Sequence, residues 1–529
     1  MFSLVPGLVC AAGGLFPKMP LATNVFVVNC QNDSEEAKRT ELALQGLVNR
    51  TSAEVYLVEK PLDRTHLEDS GIAHVNLPLP NGNDAGLCAL FQKYQSRVKK
   101  MILYDPAKDW TFHLAVMAGA QENGIPVTEP VKDELVSKSG WSGEIEDYRN
   151  RWPDKITAYD WAMQNLMPHC NRQVVFALKS AHSLIDYAVA TGGFDFHFDL
   201  KANPGQRDEM DKIFHAGGYT VGSSLMGYDR DSANVAANKY GIGYVVSDLY
   251  DNGSFWSSQP DETFHQAPGR AIAALPGRVY VTITWSDGDN IQFDQNAIYQ
   301  LWKDPARGSV PVGTTLSPSL QELDPKLLDW YYKKMTANDE LMAGPSGVQF
   351  IYGNDFNDQL FPAWCATNRI WLADAGFHTA CLWHTAYPGQ KFSSYLSTCG
   401  LDGILFSGDI TAASAGQAHE HSKAKNRHGS TSDVVVENGI PVISEGHAVW
   451  NEDDIFNHLS RVQPDPDKPV FVGVKCIVEG FEKKEGAGGG YAKIKRQVDR
   501  LNAAYPGRFV FLLPKDLFAT IRTYTASSR

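Results

Sequence analysis

The 529-residue sequence has no CxxC pair, no excess of positive charge and no HxxxH motif. Each absence excludes a class. Eight cysteines (Cys10, Cys30, Cys88, Cys170, Cys365, Cys381, Cys399 and Cys476) are dispersed, so neither a zinc ribbon nor a redox motif is suggested and most read as buried small hydrophobes. Export would permit disulfides, but spacing alone does not pair them. No stretch beyond the N-terminus approaches the ~18 uninterrupted apolar residues that a membrane-spanning helix needs. Lys and Arg number 48 against 61 Asp and Glu, a net charge of −13, and that field repels a phosphate backbone, so nucleic acid is not expected as a partner. What remains is 43% hydrophobic, 21% charged and 11% aromatic, the profile of an ordered globular protein of two to four domains.

Residues 1–16, MFSLVPGLVCAAGGLF, loosely follow a secretory h-region ending in small residues, yet no Lys or Arg precedes them. Residues 1–20 are therefore read either as a signal remnant or as an apolar tail. From Asn24 onward β-branched runs alternate with helical patterns: NVFVVNC, SEEAKRTELALQGLVNR, AEVYLVEK, KKMILYDP, TFHLAVMAGAQENG and IPVTEP. TAYDWAMQNLMPH, RQVVFALKS, GQRDEMDKIFHAGG and TVGSSLMGY continue the alternation. Such βαβ alternation predicts a Rossmann-like α/β domain over residues 21–270, as one layer or two subunits. Pro and Gly punctuation at 251–278 marks its end.

Residues 275–529 then carry eight strand-like runs, VYVTITWSDGD, VPVGTTLSPS, GVQFIYGND, FHTACLWHT, LDGILFSGD, GIPVISEGH, PVFVGVKCIVEG and RFVFLLPKD. Their ends recur at intervals of 25 to 38 residues, which suits βα units and predicts a (β/α)8-type barrel, with a doubly wound open sheet as the rival. Helices are expected at IQFDQNAIYQLWK, PKLLDWYYKKMTANDELM, PAWCATNRIWLADAG, EDDIFNHLSRV and YAKIKRQVDRLNAAY. Both architectures place a ligand at the carboxyl ends of the strands.

Polar residues gather at those ends. TWSDGDN puts Asp287 and Asp289 two residues apart, on one side of a strand if its geometry persists. Paired carboxylates grip sugar hydroxyls, share a proton or hold a divalent cation, while Asp-Gly-Asp-Asn also favours a turn. Glu445 and Glu479 close two strongly apolar runs, where poor solvation suits a general acid. These four carboxyls are the candidate catalytic set. A separation of ~5 Å between two of them would retain configuration and ~6.5–9.5 Å would invert it. Asn290, Ser317, Asn354, Asp355, Trp383, His384, Asp409 and His447 are the candidate substrate-binding residues. Trp256, Trp285 and Trp450 are further candidate platforms for sugar faces, with core packing as the alternative. No metal ligand set is assigned. The three histidines of AHEHSKAKNRH at 418–428 read as a loop. KYGIGY at 239–244 and EGAGGGY at 485–491 lack the context of a dinucleotide site.

The motifs LALQGLVNR (42–50), MILYDP (101–106), SDGDNIQF (286–293), LSPSLQEL (316–323), AGPSG (343–347) and the terminal PKDLFATIR resemble the GxGYxYxYP family. The naming signature falls on Gly347, Gln349, Phe350, Tyr352, Asn354 and Asp355, so its second glycine, two tyrosines and proline are replaced. The resemblance implies glycoside hydrolase activity, an α/β N-terminal region, a barrel-like C-terminal domain and an active-site element at Asp287, Asp289 and Asn290. It also favours a secreted or periplasmic location over the cytoplasm. The expected function is therefore hydrolysis of a poly- or oligosaccharide by paired carboxylates, with no resident cofactor unless a divalent cation sits at Asp287 and Asp289. A metal-dependent carbohydrate deacetylase and a non-catalytic glycan-binding protein are the alternatives, and the missing HxxxH counts against the first.

Overall fold

The computed structural model describes residues 14–80, 82–178, 184–199, 203–227, 236–288, 290–382, 389–406, 434–482 and 489–527. The apolar stretch at 1–13, the histidine-bearing segment 418–428 and most of EGAGGGY lie outside them. The chain is α/β throughout, with parallel sheets, and divides into two compact units. One comprises residues 1–261 with 322–330, the other 262–321 with 331–529.

Among the described residues, the first unit holds three small parallel sheets. Strands β1 (Phe26–Asn29), β2 (Val55–Val58) and β3 (Val75–Asn76) pair in the order β2-β1-β3, and β4 (Lys100–Leu103), β5 (Gly124–Val127) and β6 (Glu144–Asp147) in the order β5-β4-β6. The third contains β7 (Asn171–Ala177), β8 (Gly193–Phe196), β9 (Ser224–Gly227) and β10 (Gly243–Val246), ordered β10-β9-β7-β8. The helix Glu35–Asn49 shows why they do not merge. Ser34 caps it by accepting from Ala37 N at 3.2 Å, and Glu35 and Glu36 occupy its positive first turn. Beyond that turn it is buried almost all round, as a helix enclosed between layers must be. Thr40 Oγ1 donates to Pro126 O of β5 at 2.8 Å, and a Cβ on Gly46 would lie 2.2 Å from Asp186 O in the helix Ile185–Thr191.

In the second unit, β11 (Val279–Trp285), β12 (Val312–Leu316), β13 (Asp339–Ala343), β14 (Thr379–Leu382), β15 (Gly403–Phe406), β17 (Ile440–Val449), β18 (Val470–Cys476) and β19 (Phe509–Phe511) form one curled parallel sheet, with β16 (Val434–Glu437) antiparallel to β17. Tyr280, Met342, Cys381, Leu405, Ile443 and Phe471, one from each of six strands, converge on Leu517, Phe518 and Ile521 of the C-terminal helix Pro514–Ser527. The strand order differs from eight in sequence. β18 pairs with β11 along all seven residues, Val279↔Val470 to Trp285↔Cys476, which fills the place an eighth strand takes in a (β/α)8 barrel. β19 lies instead along the other edge of β11, at residues 279–281, and β12 joins that edge at Thr284 and Trp285.

The third strand also differs from expectation. GVQFIYGND is an irregular loop whose Val348, Phe350 and Ile351 are buried, and the strand is DELMA, which the sequence pattern attached to the preceding helix. Two acids at its start give it a helical look. Both are satisfied by tertiary partners: Glu340 accepts from Thr379 Oγ1 at 2.5 Å and Lys515 N at 2.8 Å, and Asp339 from Thr336 N at 2.7 Å and from Arg307.

Candidate active site

Strand β11 delivers the SDGDN segment. Ser286 N donates to Cys476 O at 3.0 Å, continuing the β11–β18 pairing by one residue. At Asp287 the chain turns into the left-handed region, φ +73°, which Asp and Asn tolerate better than most residues. Asp287 is 7% exposed, and its Oδ2 accepts from Ser286 Oγ at 2.9 Å and from Val478 N at 3.1 Å. The carboxylate thus ties the end of β11 to the start of the helix Val478–Glu482 that follows β18. Gly288 is required by space: a Cβ there would stand 2.2 Å from the backbone C and O of Thr315. Asn290 N closes the turn onto Asp287 O at 3.1 Å. The chain thus turns between Asp287 and Asn290, and that turn positions the Asp287 carboxylate. Asp289 lies outside the described residues.

The next two strand ends contribute hydroxyls and a second buried acid. Ser317, after β12, shares a hydrogen bond with Ser319 between their hydroxyls at 2.6 Å, and its N donates to Asp294 Oδ2 at 3.0 Å. Asp294, fully buried on the short helix Ile291–Gln295, also accepts through its backbone O from Tyr331 at 2.6 Å. Sequence reasoning missed Asp294, although an acid seven residues after Asp287, in the helical stretch that follows the strand, was the available signal. After β13, Ser346 adopts φ +67° and Gly347 φ +121°. A Cβ on Gly347 would meet Asn368 Oδ1 at 2.0 Å, and that amide holds the turn by accepting from Val348 N and donating to Ser346 O, each at 2.9 Å. Among the described residues, two of the non-glycine residues with positive φ, Asp287 and Ser346, lie two and three residues past the ends of β11 and β13 of one sheet, and stored backbone strain is a recognised companion of function.

Other candidates sit elsewhere than a strand end. Asn354 and Asp355 are exposed in the turn that follows the buried loop, because the third strand ends eleven residues before Asn354. Glu479 occupies the first turn of the helix Val478–Glu482, one residue from the amide that binds Asp287. Glu445 and His447 flank an irregularity in β17, opposite Gly473 and Val474 of β18. Trp383, His384 and Asp409 lie outside the described residues. Trp285 is core, edge-on to Phe481 at 5.0 Å and Tyr491 at 5.8 Å, and Trp256 packs on Tyr56 at 5.4 Å within the first unit. Only burial, invisible in sequence, separates them from Trp450, which is 52% exposed.

Residues 277–463 match the family model described as GxGYxYP putative glycoside hydrolase C-terminal domain, and residues 98–170 match the GxGYxYP_N second domain. Two stretches of this chain are GxGYxYP-family domains. The GxGYxYP C-terminal match includes Asp287, Asn290, Asp294 and Ser317 and ends before Glu479. In this shorter spelling the naming signature runs over 347–353, keeping Gly347 and Tyr352 and replacing its other glycine, tyrosine and proline with Gln349, Phe350 and Gly353. A crystal structure of a putative hydrolase from Bacteroides thetaiotaomicron VPI-5482, determined at 1.25 Å, is similar over 96% of this chain and 97% of its own, with a TM-score of 0.79 and 20% identity. That likeness is one of fold. No curated protein matches the chain. Among the described residues, no helix is long and apolar enough to cross a membrane.

Proposed function

We propose that this protein is a glycoside hydrolase that cleaves a poly- or oligosaccharide at the strand ends of residues 262–529. The observation that carries the reading is Asp287, a carboxylate withdrawn from solvent, fixed by two donors and carried on a left-handed residue at the end of β11. The glycoside hydrolase description of the matching C-terminal family and the hydrolase description of the structural neighbour support the hydrolase class. Asp287 is one reacting carboxylate, and Glu479, beside the amide that holds it, is the partner best placed by chain connectivity. Asp289 and Glu445 are the remaining members of the set. Proton transfer by such groups contributes roughly 10²–10⁴-fold to rate. Asn290 and the Ser317 hydroxyl face the task of orienting sugar hydroxyls, and Asn354, Asp355, Trp383, His384, Asp409 and His447 complete the proposed substrate-binding set.

The test is product release from a panel of polysaccharides and aryl glycosides, with and without chelator, for the native chain and Asp287→Asn. The reading expects reducing sugar released in chelator and abolished in the folded variant. Sugar binding without turnover would replace it with a glycan-binding role. Acetate release that requires metal would select the deacetylase, and a divalent cation at Asp287 and Asp289 would then be its natural place.

A further inference from the structure

A second constellation lies in the first unit, on elements the hydrolase reading does not use. The helix Asp109–Glu122 begins with Asp109 and carries His113 one turn later on the same face. Strand β8 carries Asp195, and His197 follows two residues on, so both lean to one side of the strand. The four side chains are cross-linked: His113 Nδ1 to Asp195 Oδ2 at 2.8 Å, and His197 Nδ1 to Asp109 Oδ2 at 3.0 Å. Asp109, His113 and His197 each bring a ligand atom within 4.8 Å of the other two.

A polar clamp between helix and strand would need only the two pairs. Two features go further. His113 is fully buried, yet its Nε2 has no hydrogen-bond partner; an orphaned buried ring nitrogen costs on the order of 1–3 kcal/mol. Its Nδ1 is bound by a carboxylate that is itself fully buried, the arrangement that fixes a histidine tautomer with its Nε2 lone pair available for a metal. The ammonium of Lys155 also sits on Asp109 Oδ2 at 2.7 Å and donates to His197 O at 3.2 Å. The cluster already attracts a cation.

We propose that Asp109, His113 and His197 bind a first-row divalent transition metal, zinc in the simplest case, with His113 binding through Nε2 and Asp195 orienting it from behind. Two imidazoles and one carboxylate suit such an ion and leave a fourth position open. Ligand atoms around a tetrahedral zinc lie about 3.4 Å apart, given bonds of ~2.0–2.2 Å, so the three close inward on binding and the Lys155 ammonium gives way.

The test is titration of the metal-free full chain with zinc alone by calorimetry, and with Co²⁺ by visible absorption. One equivalent is expected, with a tetrahedral Co²⁺ spectrum. His197→Ala should weaken binding at least tenfold, Asp195→Asn by 10–100-fold, and Lys155→Met should tighten it by removing the competing ammonium. The segment at 418–428 contains His419, His421 and His428, so a His419→Ala, His421→Ala variant should bind as the native chain does. No stoichiometric binding overturns the proposal, as does binding that survives His197→Ala or is lost with His419 and His421. Lys155→Met keeps both histidines in place, and unchanged affinity in that folded variant also overturns it.

Discussion

The deep acids of the first unit and the acids beside the strand ends of the second are held differently. In the first, carboxylates lie deep among small sheets: burial pushes Asp186 to about 6, Asp63 to about 7 and Asp324 to about 8, and holds Glu41 and Glu59 raised as well. In the second, Asp287, just past the end of β11, accepts from Ser286 Oγ and Val478 N, and Asp294, on the short helix that follows, accepts from Ser317 N. In the first unit burial outweighs the amides these acids accept from, Glu59 N and Lys60 N at Asp63, Ser254 N at Asp186 and Leu327 N at Asp324, so the neutral form is favoured. One curled sheet directs the free amides of several strand ends toward one region, and these can hold a carboxylate.

The largest expected effect tests whether the strand-end acids are chemical. Asp287→Asn preserves shape and left-handed backbone, so turnover should fall roughly 10²–10⁴-fold while the melting temperature barely moves. Retained activity would reduce Asp287 to a turn former and erase the contrast. Next is Gly347→Ala, which places a Cβ 2.0 Å from Asn368 Oδ1 at φ +121°; urea denaturation should register a loss of about 3 kcal/mol.

A third prediction concerns the deep acids. Asp324 is neutral when folded below about 8, whereas unfolded it ionises near its ordinary value of about 4. The folded state therefore holds the extra proton between those limits, and its stabilising contribution is complete below about pH 4 and lost as pH rises toward 8. Asp324→Asn should flatten that decline in a series of denaturation midpoints. Burial pushes Glu340, in the second unit, to about 7 against its hydrogen bonds from Lys515 and Thr379, so Glu340→Gln should flatten a similar window. A flat native profile would show that burial leaves these acids ionised. The smallest effect is expected at exposed Trp450: Trp450→Ala should change stability by less than about 0.5 kcal/mol, with any loss confined to sugar affinity.

Much of the scaffold was legible. The helices at 35–49, 109–122, 361–374 and 490–504 lie where apolar periodicity predicts them, and seven of the eight strand runs of the second unit are strands. The exception is instructive. GVQFIYGND has the composition of a strand because its apolar residues are buried, but burial in a loop leaves the same trace. SDGDN was legible as a turn bearing acids because glycine and acids at a strand end are a local pattern, whereas Asp294 is set against Ser317 only by folding. The crossed pairs of Asp109, His113, Asp195 and His197 join residues more than 80 positions apart, and no local period announces them.

The sequence by itself determined the α/β class, the acidic character, the positions of most elements and the SDGDN turn, because helix, strand and turn preferences act over a few residues. Tertiary structure decided the rest: three sheets in the first unit, β18 along the whole of β11, acids inside β13, and which tryptophans are core. Each depends on which distant donor or apolar surface meets a given side chain, and that is set by packing.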